Sequence, residues 1–278
     1  MKLTEEQIVQ LKAVELEILK EFIEICEKLK LRYYLMDGTM LGAVRHQGFI
    51  PWDDDIDVGM PREDYEIFIK KGADMLSDHL FLQNSDSDPE YLMCFSKIRN
   101  SNSTFIESSV HHLKINHGVF IDVFPLDYYP EERKQQRRLD WKKRLYDLRI
   151  ASEFDLQNIN KIKRVVASLV LKTVFPSVKA VINKREKLIR EVPKSGLLAN
   201  YGSAWGKKEI VPIEWFGEGD TAVFEGMEVK IPAQYDKWLT QVYGDYMQLP
   251  PVEKRVGHHY VDAIDFNKPY TEYTEEIL

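Results

Sequence analysis

The stretch Asp53-Asp-Asp-Ile-Asp57 constrains the fold more than any other part of this chain. Four carboxylates within five residues repel one another, and a fold gathers them only where a cation offsets the repulsion. Acid and apolar residues alternate through Asp55-Ile-Asp-Val-Gly-Met60, which is the pattern of a strand with one polar face. On such a strand Asp53, Asp55 and Asp57 point to one side, since side chains alternate with period two. Asp55 and Asp57 are then neighbours able to share a divalent ion, while Ile56 and Val58 anchor the other side. An EF-hand loop is excluded, because its required Gly and Glu positions fall on Val58 and Asp64. A solvated acidic loop is the plain alternative, and the Ile/Val alternation argues against it.

A third acid lies further on. Asp122 interrupts Val119-Phe-Ile-Asp-Val-Phe124, the strongest strand in the chain by composition. A carboxylate inside an apolar strand is unfavourable unless it is paired or metal-bound. Alone it reads as a structural acid; beside Asp55 and Asp57 it completes a three-carboxylate site.

The rest of the chain supplies a frame. Thr4 and Gln7 form a capping-box pair, and Ile8, Leu11, Val14, Ile18, Phe22, Ile25 and Leu29 predict a helix over 4–30. A strand over 32–36 stops at Asp37-Gly38, and a short helix runs from Thr39 to about His46. Pro61 ends the acidic strand, and 62–73 has helical spacing. Shorter strands are expected at 80–83, 92–98 and 103–107. Residues 131–192 read as helical and basic, interrupted by Pro176. The stretch 196–219 reads as loops, 222–231 as a hairpin turning at Glu225-Gly226, 234–243 as a helix, and the tail from Pro250 as irregular. The expected class is α/β (α+β), a mixed sheet with flanking helices followed by a mostly helical second half. Three regions are expected: a catalytic core over 1–130, a basic helical segment over 131–195, and a C-terminal region over 196–278 that completes the substrate site.

Composition narrows the function. With 44% apolar and 30% charged residues the chain is an ordinary globular one, and a net charge of −7 argues against nucleic acid as a partner. Cys26 and Cys94 form no C-x-x-C motif, so neither a disulfide framework nor a cysteine zinc site is expected. No signal peptide and no membrane span is expected, which makes the cytoplasm the default compartment. Charge is unevenly spread: residues 131–190 hold 17 Lys and Arg against seven Asp and Glu. That segment suits an anionic partner or simply a solvated helical face.

The motif Asp37-Gly-Thr-Met-Leu-Gly-Ala-Val-Arg-His46, running into Gly48-Phe-Ile-Pro-Trp-Asp-Asp-Asp-Ile-Asp-Val-Gly-Met-Pro-Arg-Glu-Asp-Tyr65, resembles the LicD family of the nucleotidyltransferase superfamily. Phe224-Glu-Gly-Met, Tyr243-Gly-Asp-Tyr-Met-Gln-Leu-Pro-Pro251 and Lys254-Arg-Val-Gly-His-His259 resemble it as well. The likeness is weakest over about 131–195, which leaves the acceptor open. The resemblance implies a nucleotidyltransferase-like fold and transfer of phosphocholine, or a similar phospho-substituent, from a CDP-linked donor such as CDP-choline. The acceptor would be a hydroxyl of a cell-surface glycan, teichoic acid or lipopolysaccharide, carried on a lipid.

Phosphoryl transfer asks mainly for positioning and charge neutralisation. Asp55 and Asp57 would hold Mg²⁺, with Mn²⁺ as the alternative ion, and Asp122 would complete the metal site or take the acceptor proton. Gly38 lets backbone approach a phosphate, and Thr39 begins a helix whose first N–H groups are free. Arg45 and Arg62 would clamp phosphate oxygens or pair with Asp53 and Asp54. His258 and His259 are read as substrate contacts or as structural histidines. Trp205, Trp215, Tyr201, Tyr243 and Tyr246 are candidates for an aromatic cage around a quaternary ammonium group. Two rival functions remain: a true nucleotidyltransferase handing on the nucleotide itself, and a non-catalytic cation- or glycan-binding protein. Residues 161–190, with an apolar face at 165–175 ringed by lysines, read either as a core helix or as a peripheral membrane contact.

Overall fold

Thr4 opens the first helix as the spacing predicts. Its hydroxyl accepts the Gln7 N–H while the Gln7 side chain accepts the Thr4 N–H, so two donors that a helix start leaves free are satisfied. The computed structural model, which describes residues 2–155, 170–257 and 259–273, carries helix α1 over Glu5–Leu29. Leu11, Ile18, Leu19, Phe22, Ile25 and Cys26 bury one face of it. Phe22 meets Tyr33 and Phe68 edge-on, with ring centroids 5.4 and 5.1 Å apart. One residue breaks the apolar face: Glu15 is buried within it.

Beyond α1 the chain alternates strand and helix as far as α3 and then runs through successive strands. The elements are β1 (Tyr34–Leu35), α2 (Asp37–His46), β2 (Asp57–Pro61), α3 (Arg62–Ile67), β3 (Leu80–Gln83), β4 (Ser96–Asn100), β5 (Thr104–Glu107) and β6 (Val119–Tyr128). Then come α4 (Arg133–Ala151), α5 (Val178–Arg190), β7 (Leu197–Asn200), β8 (Ile210–Pro212), β9 (Asp220–Phe224), β10 (Met227–Ile231), α6 (Tyr235–Tyr243) and β11 (Val261–Asp265). Seven strands form one mixed sheet in the order β1-β2-β6-β4-β3, with β7 added to β6 and β8 to β7. Strand β6 is its axis. β2 pairs with it in parallel, placing Asp57 opposite Asp122, while β4 pairs antiparallel and places Lys97 opposite the same Asp122. The last residues of β6, Leu126–Tyr128, pair with β7.

The apolar side of this sheet explains why the strands sit where they do. Leu35, Val58, Met60, Ile98, Ile121 and Val123 join α1, α2 and α6 in one core. The β9–β10 hairpin turns at Glu225 and Gly226, both with positive φ (48° and 79°), as a two-residue turn matched to strand twist requires. Glu225 then reaches back, its carboxylate accepting the Phe49 N–H at 3.0 Å, which ties the hairpin to the loop before the acidic stretch.

Several expectations change. The acidic strand begins at Asp57, not Asp55: residues 53–56 form a turn and loop in which the Asp53 N–H donates to the Ile50 carbonyl. Asp53 and Asp54 are buried there, so the run is neither a regular strand nor a solvated loop. The region 196–219, expected to be loops, holds β7 and β8, whose ladders come from pairing with β6 rather than from local sequence. The tail read as irregular contains β11, which pairs with β5. The strand expected at 92–98 is shifted to Ser96–Asn100, and the helix expected over 62–73 passes through a π-helical turn at Phe68–Gly72. Helix outweighs strand in the second half, yet β7 to β11 all lie there.

The 161–190 segment divides. Residues 156–169, including Lys161, Lys163, Arg164 and the apolar positions Val165, Val166 and Leu169, lie outside the described residues. Val170 and Val174 are exposed, whereas α5 buries Val181, Ile182 and Ile189 inside the protein. That part is therefore a core helix, while the apolar face expected at 165–175 lies largely outside the described residues. Among the described residues no helix is long and apolar enough to cross a membrane. Truncating Phe22 to Ala should lower unfolding free energy by about 3–5 kcal/mol in urea titration, because a fully buried ring with two edge-on partners leaves a void. A loss below about 1 kcal/mol would mean that α1 is not packed as described.

Candidate active site

Helix α2 begins at a residue with a left-handed backbone, Asp37, φ 46°. Gly38 follows, and a side chain there would collide with the Asp53 carboxylate, so glycine is what lets the acidic loop approach the helix start. Thr39 is buried, and its hydroxyl accepts the Asp57 N–H at 2.9 Å. The Met36 N–H donates to the Asp57 carbonyl at 2.9 Å, and the Asp122 N–H donates to the Ile56 carbonyl at 2.8 Å. Asp57 is thus held through its backbone on both sides, opposite Asp122.

The carboxyls crowd together. One oxygen from each of Asp53, Asp54 and Asp55 falls within a 4.8 Å group. Burial pushes the Asp57 carboxyl well above the usual carboxylate range, and the charges of Asp55, Asp37 and Asp122 add to it. Asp53 is raised by burial and by Asp55 and Asp54. Asp122 is raised by burial despite Lys97, whose Nζ lies 2.8 Å from its Oδ1. Lys97 is itself buried, with Nζ 3.2 Å from the Phe120 ring centroid. Asp55, Asp57 and Asp122 are therefore brought into mutual electrostatic range, and Asp53 and Asp54 join them.

Other predicted residues sit differently. Arg62 makes a two-pronged contact with Asp127, Nε at 2.7 Å, and its Nη1 donates to Glu186 at 2.8 Å. It thus joins the start of α3 to β6 and α5 and forms an ion pair with neither Asp53 nor Asp54. Arg45 donates from Nη1 to the Tyr246 carbonyl at 2.6 Å, so it anchors the segment after α6 and is likewise not paired with those acids. His259 packs between Phe105 and Phe120, and its backbone N–H donates to Asp54 Oδ2 at 3.1 Å. Its Nδ1 lies 3.4 Å from Asp54 Oδ1. Burial opposes its charge, yet Asp54, Asp55 and Glu107 outweigh that and push the imidazole up to about 9. His258 lies outside the described residues. Of the cage candidates, Tyr243 feels Asp37, Asp53, Asp57 and Glu209 and stacks edge-on with Trp205 at 4.9 Å. The Tyr246 hydroxyl instead donates to Asp236.

Sequence reasoning missed four members. Glu15, 2% exposed, faces Asp53, Asp54 and Asp55 from α1, and its Oε2 has no donor. Its signal was present, as the acid inside the apolar stripe Leu11-x-x-x-Glu15-x-x-Ile18. Lys97 was legible as a cation alternating with Ile98 on a strand. Asp37 and Glu209 are both buried, Glu209 pushed up to about 7 by burial and Asp37 raised by burial and by the charge of Glu209. Nothing local marks Glu209, which arrives from the turn between β7 and β8. A divalent cation fits this set. Carboxyls that burial and mutual repulsion drive toward protonation, with Glu15 Oε2 and Asp37 Oδ1 lacking any donor, are a donor set of the hard-oxygen type that Mg²⁺ takes.

The chain is similar in sequence to several known proteins. A family model described as the LicD/FKTN/FKRP nucleotidyltransferase domain matches residues 30–166. The lipopolysaccharide cholinephosphotransferase LicD of Haemophilus influenzae is 31% identical over 255 residues, covering 89% of this chain and 94% of that protein. The human ribitol 5-phosphate transferase FKRP is 42% identical over 48 residues, 17% of this chain and 10% of that one. An uncharacterised protein of Rickettsia prowazekii is 29% identical over 116 residues.

The raised carboxyls set a pH dependence. A folded state that holds protons more tightly than the unfolded chain loses stability as pH rises. Glu209 (about 7) and the raised aspartates act in that sense. His259 does too, its contribution complete below 6.5 and lost through about 9. Below 6.5 His117, lowered by burial to about 4, acts in the opposite sense. The metal-free protein should therefore melt several degrees lower at pH ~9 than at pH ~6.5, and Mg²⁺ should flatten the slope. A melting temperature that rises over that interval contradicts the site's electrostatics.

Proposed function

The chain belongs to the LicD family, and from that premise we propose that it moves phosphocholine, or a similar phospho-substituent, from a CDP-linked donor to a hydroxyl of a cell-surface glycan. The observation that carries this reading is the pair Asp57 and Asp122, facing each other on adjacent parallel strands with Asp55 beside them. Simple cation binding has no need of a third acid on a separate strand with its own buried lysine. The name of the Haemophilus influenzae relative, a lipopolysaccharide cholinephosphotransferase, supports the same class of chemistry.

In this reaction the glycan oxygen attacks the phosphorus that bears choline, the bond to the bridging oxygen breaks, and CMP leaves. Asp55 and Asp57 would hold Mg²⁺, or Mn²⁺, whose charge would offset that of the donor diphosphate. Thr39 fixes Asp57 through its N–H, and Gly38 lets the Asp53 carboxylate close on the head of α2. Lys97 occupies Asp122 Oδ1, so the remaining oxygen serves the ion or takes the acceptor proton. Asp54 holds the segment around His259 against the loop, and a side chain at Gly257 would meet Asp54 Oδ2 at 2.6 Å. His259 is thereby a positioning residue for the acidic loop. The lipid carrier of the acceptor and a cytidine-linked donor together suit the inner face of the cell membrane.

Asp55→Asn and Asp57→Asn should each reduce CMP release by at least about a hundredfold while leaving the metal-free fold intact or slightly more stable, since each relieves repulsion. Near wild-type turnover of either variant with Mg²⁺ would show the assignment to be wrong. With CDP-choline and Mg²⁺ the product separates the rival chemistry: CMP reports attack at the choline-bearing phosphorus, whereas pyrophosphate from a nucleoside triphosphate reports nucleotidyl transfer. Asp122→Asn should lose activity yet keep Mg²⁺-dependent thermal stabilisation if that residue handles the proton, and lose both if it is a ligand.

A further inference from the structure

A cleft of about 430 Å³ opens between α4 and the β7–β8 region, lined by Tyr129, Asp140, Trp141, Arg144, Tyr201 and Lys207, with Lys207 paired to Asp140 and Arg144 left as its unpaired cation among the described residues. Its Gly206–Lys207 wall continues into Glu209, whose charge acts on Asp37 at the head of α2. Its outer end is Trp141, 64% exposed. The Tyr129 and Tyr201 hydroxyls are engaged with Asp140 and the Tyr128 carbonyl, so these rings serve as walls. Lys134, Arg137, Trp141 and Arg144 follow helical spacing and are all exposed, which forms a cationic ridge with one aromatic ring at its centre. Nineteen residues of helix give α4 a length of about 28 Å.

We infer that this cleft and ridge bind the acceptor, a glycan whose repeating units carry phosphate, with a sugar ring against Trp141 and flanking phosphates on Arg137 and Arg144. The inference rests on the transfer reaction proposed above. Three features favour it. An anion repelled by the acidic centre finds its own cations here, without a metal. From Lys134 to Arg144 the ridge spans about 15 Å and sets cations on both sides of one ring, which suits a chain with charge on either side of a sugar. A bilayer asks for a continuous apolar face, and this ridge has one exposed aromatic among cations.

The test compares Trp141→Ala and the double variant Arg137→Ala/Arg144→Ala with wild type, using CDP-choline as donor and an oligomer of glycerol phosphate as acceptor. Acceptor KM should rise by at least about tenfold, with donor KM and acceptor-independent CMP release within about twofold of wild type. Binding of the oligomer without donor, followed calorimetrically at low and high salt, should weaken in parallel and lose its salt dependence in the double variant. An unchanged acceptor KM and unchanged binding overturn the inference, as does a rise confined to donor KM. Loss of co-sedimentation with phosphatidylglycerol vesicles, with oligomer binding intact, overturns it in favour of a membrane contact. If wild type releases no CMP yet binds the oligomer, and the variants do not, the transfer reading falls while the cleft assignment stands.

Discussion

The structure turns on two aspartates set side by side where a sheet would ordinarily place apolar residues. Asp57 and Asp122 are register partners on parallel strands, both mostly buried, with Asp55 close by. Two like charges at that separation in a low-dielectric interior are strongly unfavourable without compensation. Much of the surrounding architecture supplies it. Lys97 comes from β4, His259 from the segment before β11, and Lys12 from α1, its ammonium directed at Asp53 and Glu15 as well as bonded to the Ile50 carbonyl. These cations sit far apart in sequence, so the site closes only when α1, the central sheet and the C-terminal strand are all in place.

That dependence explains which parts of the fold were legible. Where local sequence and tertiary structure agree, the reading is direct: Thr4 with Gln7, the spacing of Leu11 to Leu29, Glu225-Gly226, and the acid inside Val119–Phe124 each carry their own instruction. The family motif from Asp37 to Tyr65 coincides with the loop and strand that present the carboxylates. Strands β7 and β8 were not legible, because Leu197–Asn200 becomes a strand by pairing with the far end of β6. Asp55 was assigned to the strand on its alternation with Ile56. The burial of both Asp53 and Asp54 instead required a turn, since a strand would have put them on opposite faces.

The same reasoning separates two kinds of arginine that look alike in sequence. Arg45 and Arg62 both flank the acidic run and both suit a phosphate clamp on composition. Arg62 is 13% exposed at its side chain and already holds two carboxylates, Asp127 and Glu186. Withdrawing it would leave Asp127 buried beside Glu186 without a partner, a change that removal of buried pairs makes strongly unfavourable. Its place in the motif is explained by tying α3, directly after the strand of Asp57, to α5 and to β6, the strand of Asp122.

Charge is segregated across the molecule for a related reason. An acidic centre attracts a cation but repels phosphorylated substrates, so an anionic chain needs a separate approach lined with positive charge. Helix α4 carries that charge on its exposed side, while the catalytic face keeps the acids. Between the two lie Asp37 and Glu209, both buried. Burial raises both carboxyls, which disfavours two full negative charges at that boundary. The barrier between the basic cleft and the acidic centre is thereby lowered at the point where they meet. A fold that simply sequestered a cation would have no reason to neutralise that boundary, whereas one that brings a phosphate-bearing chain up to a carboxylate cluster does.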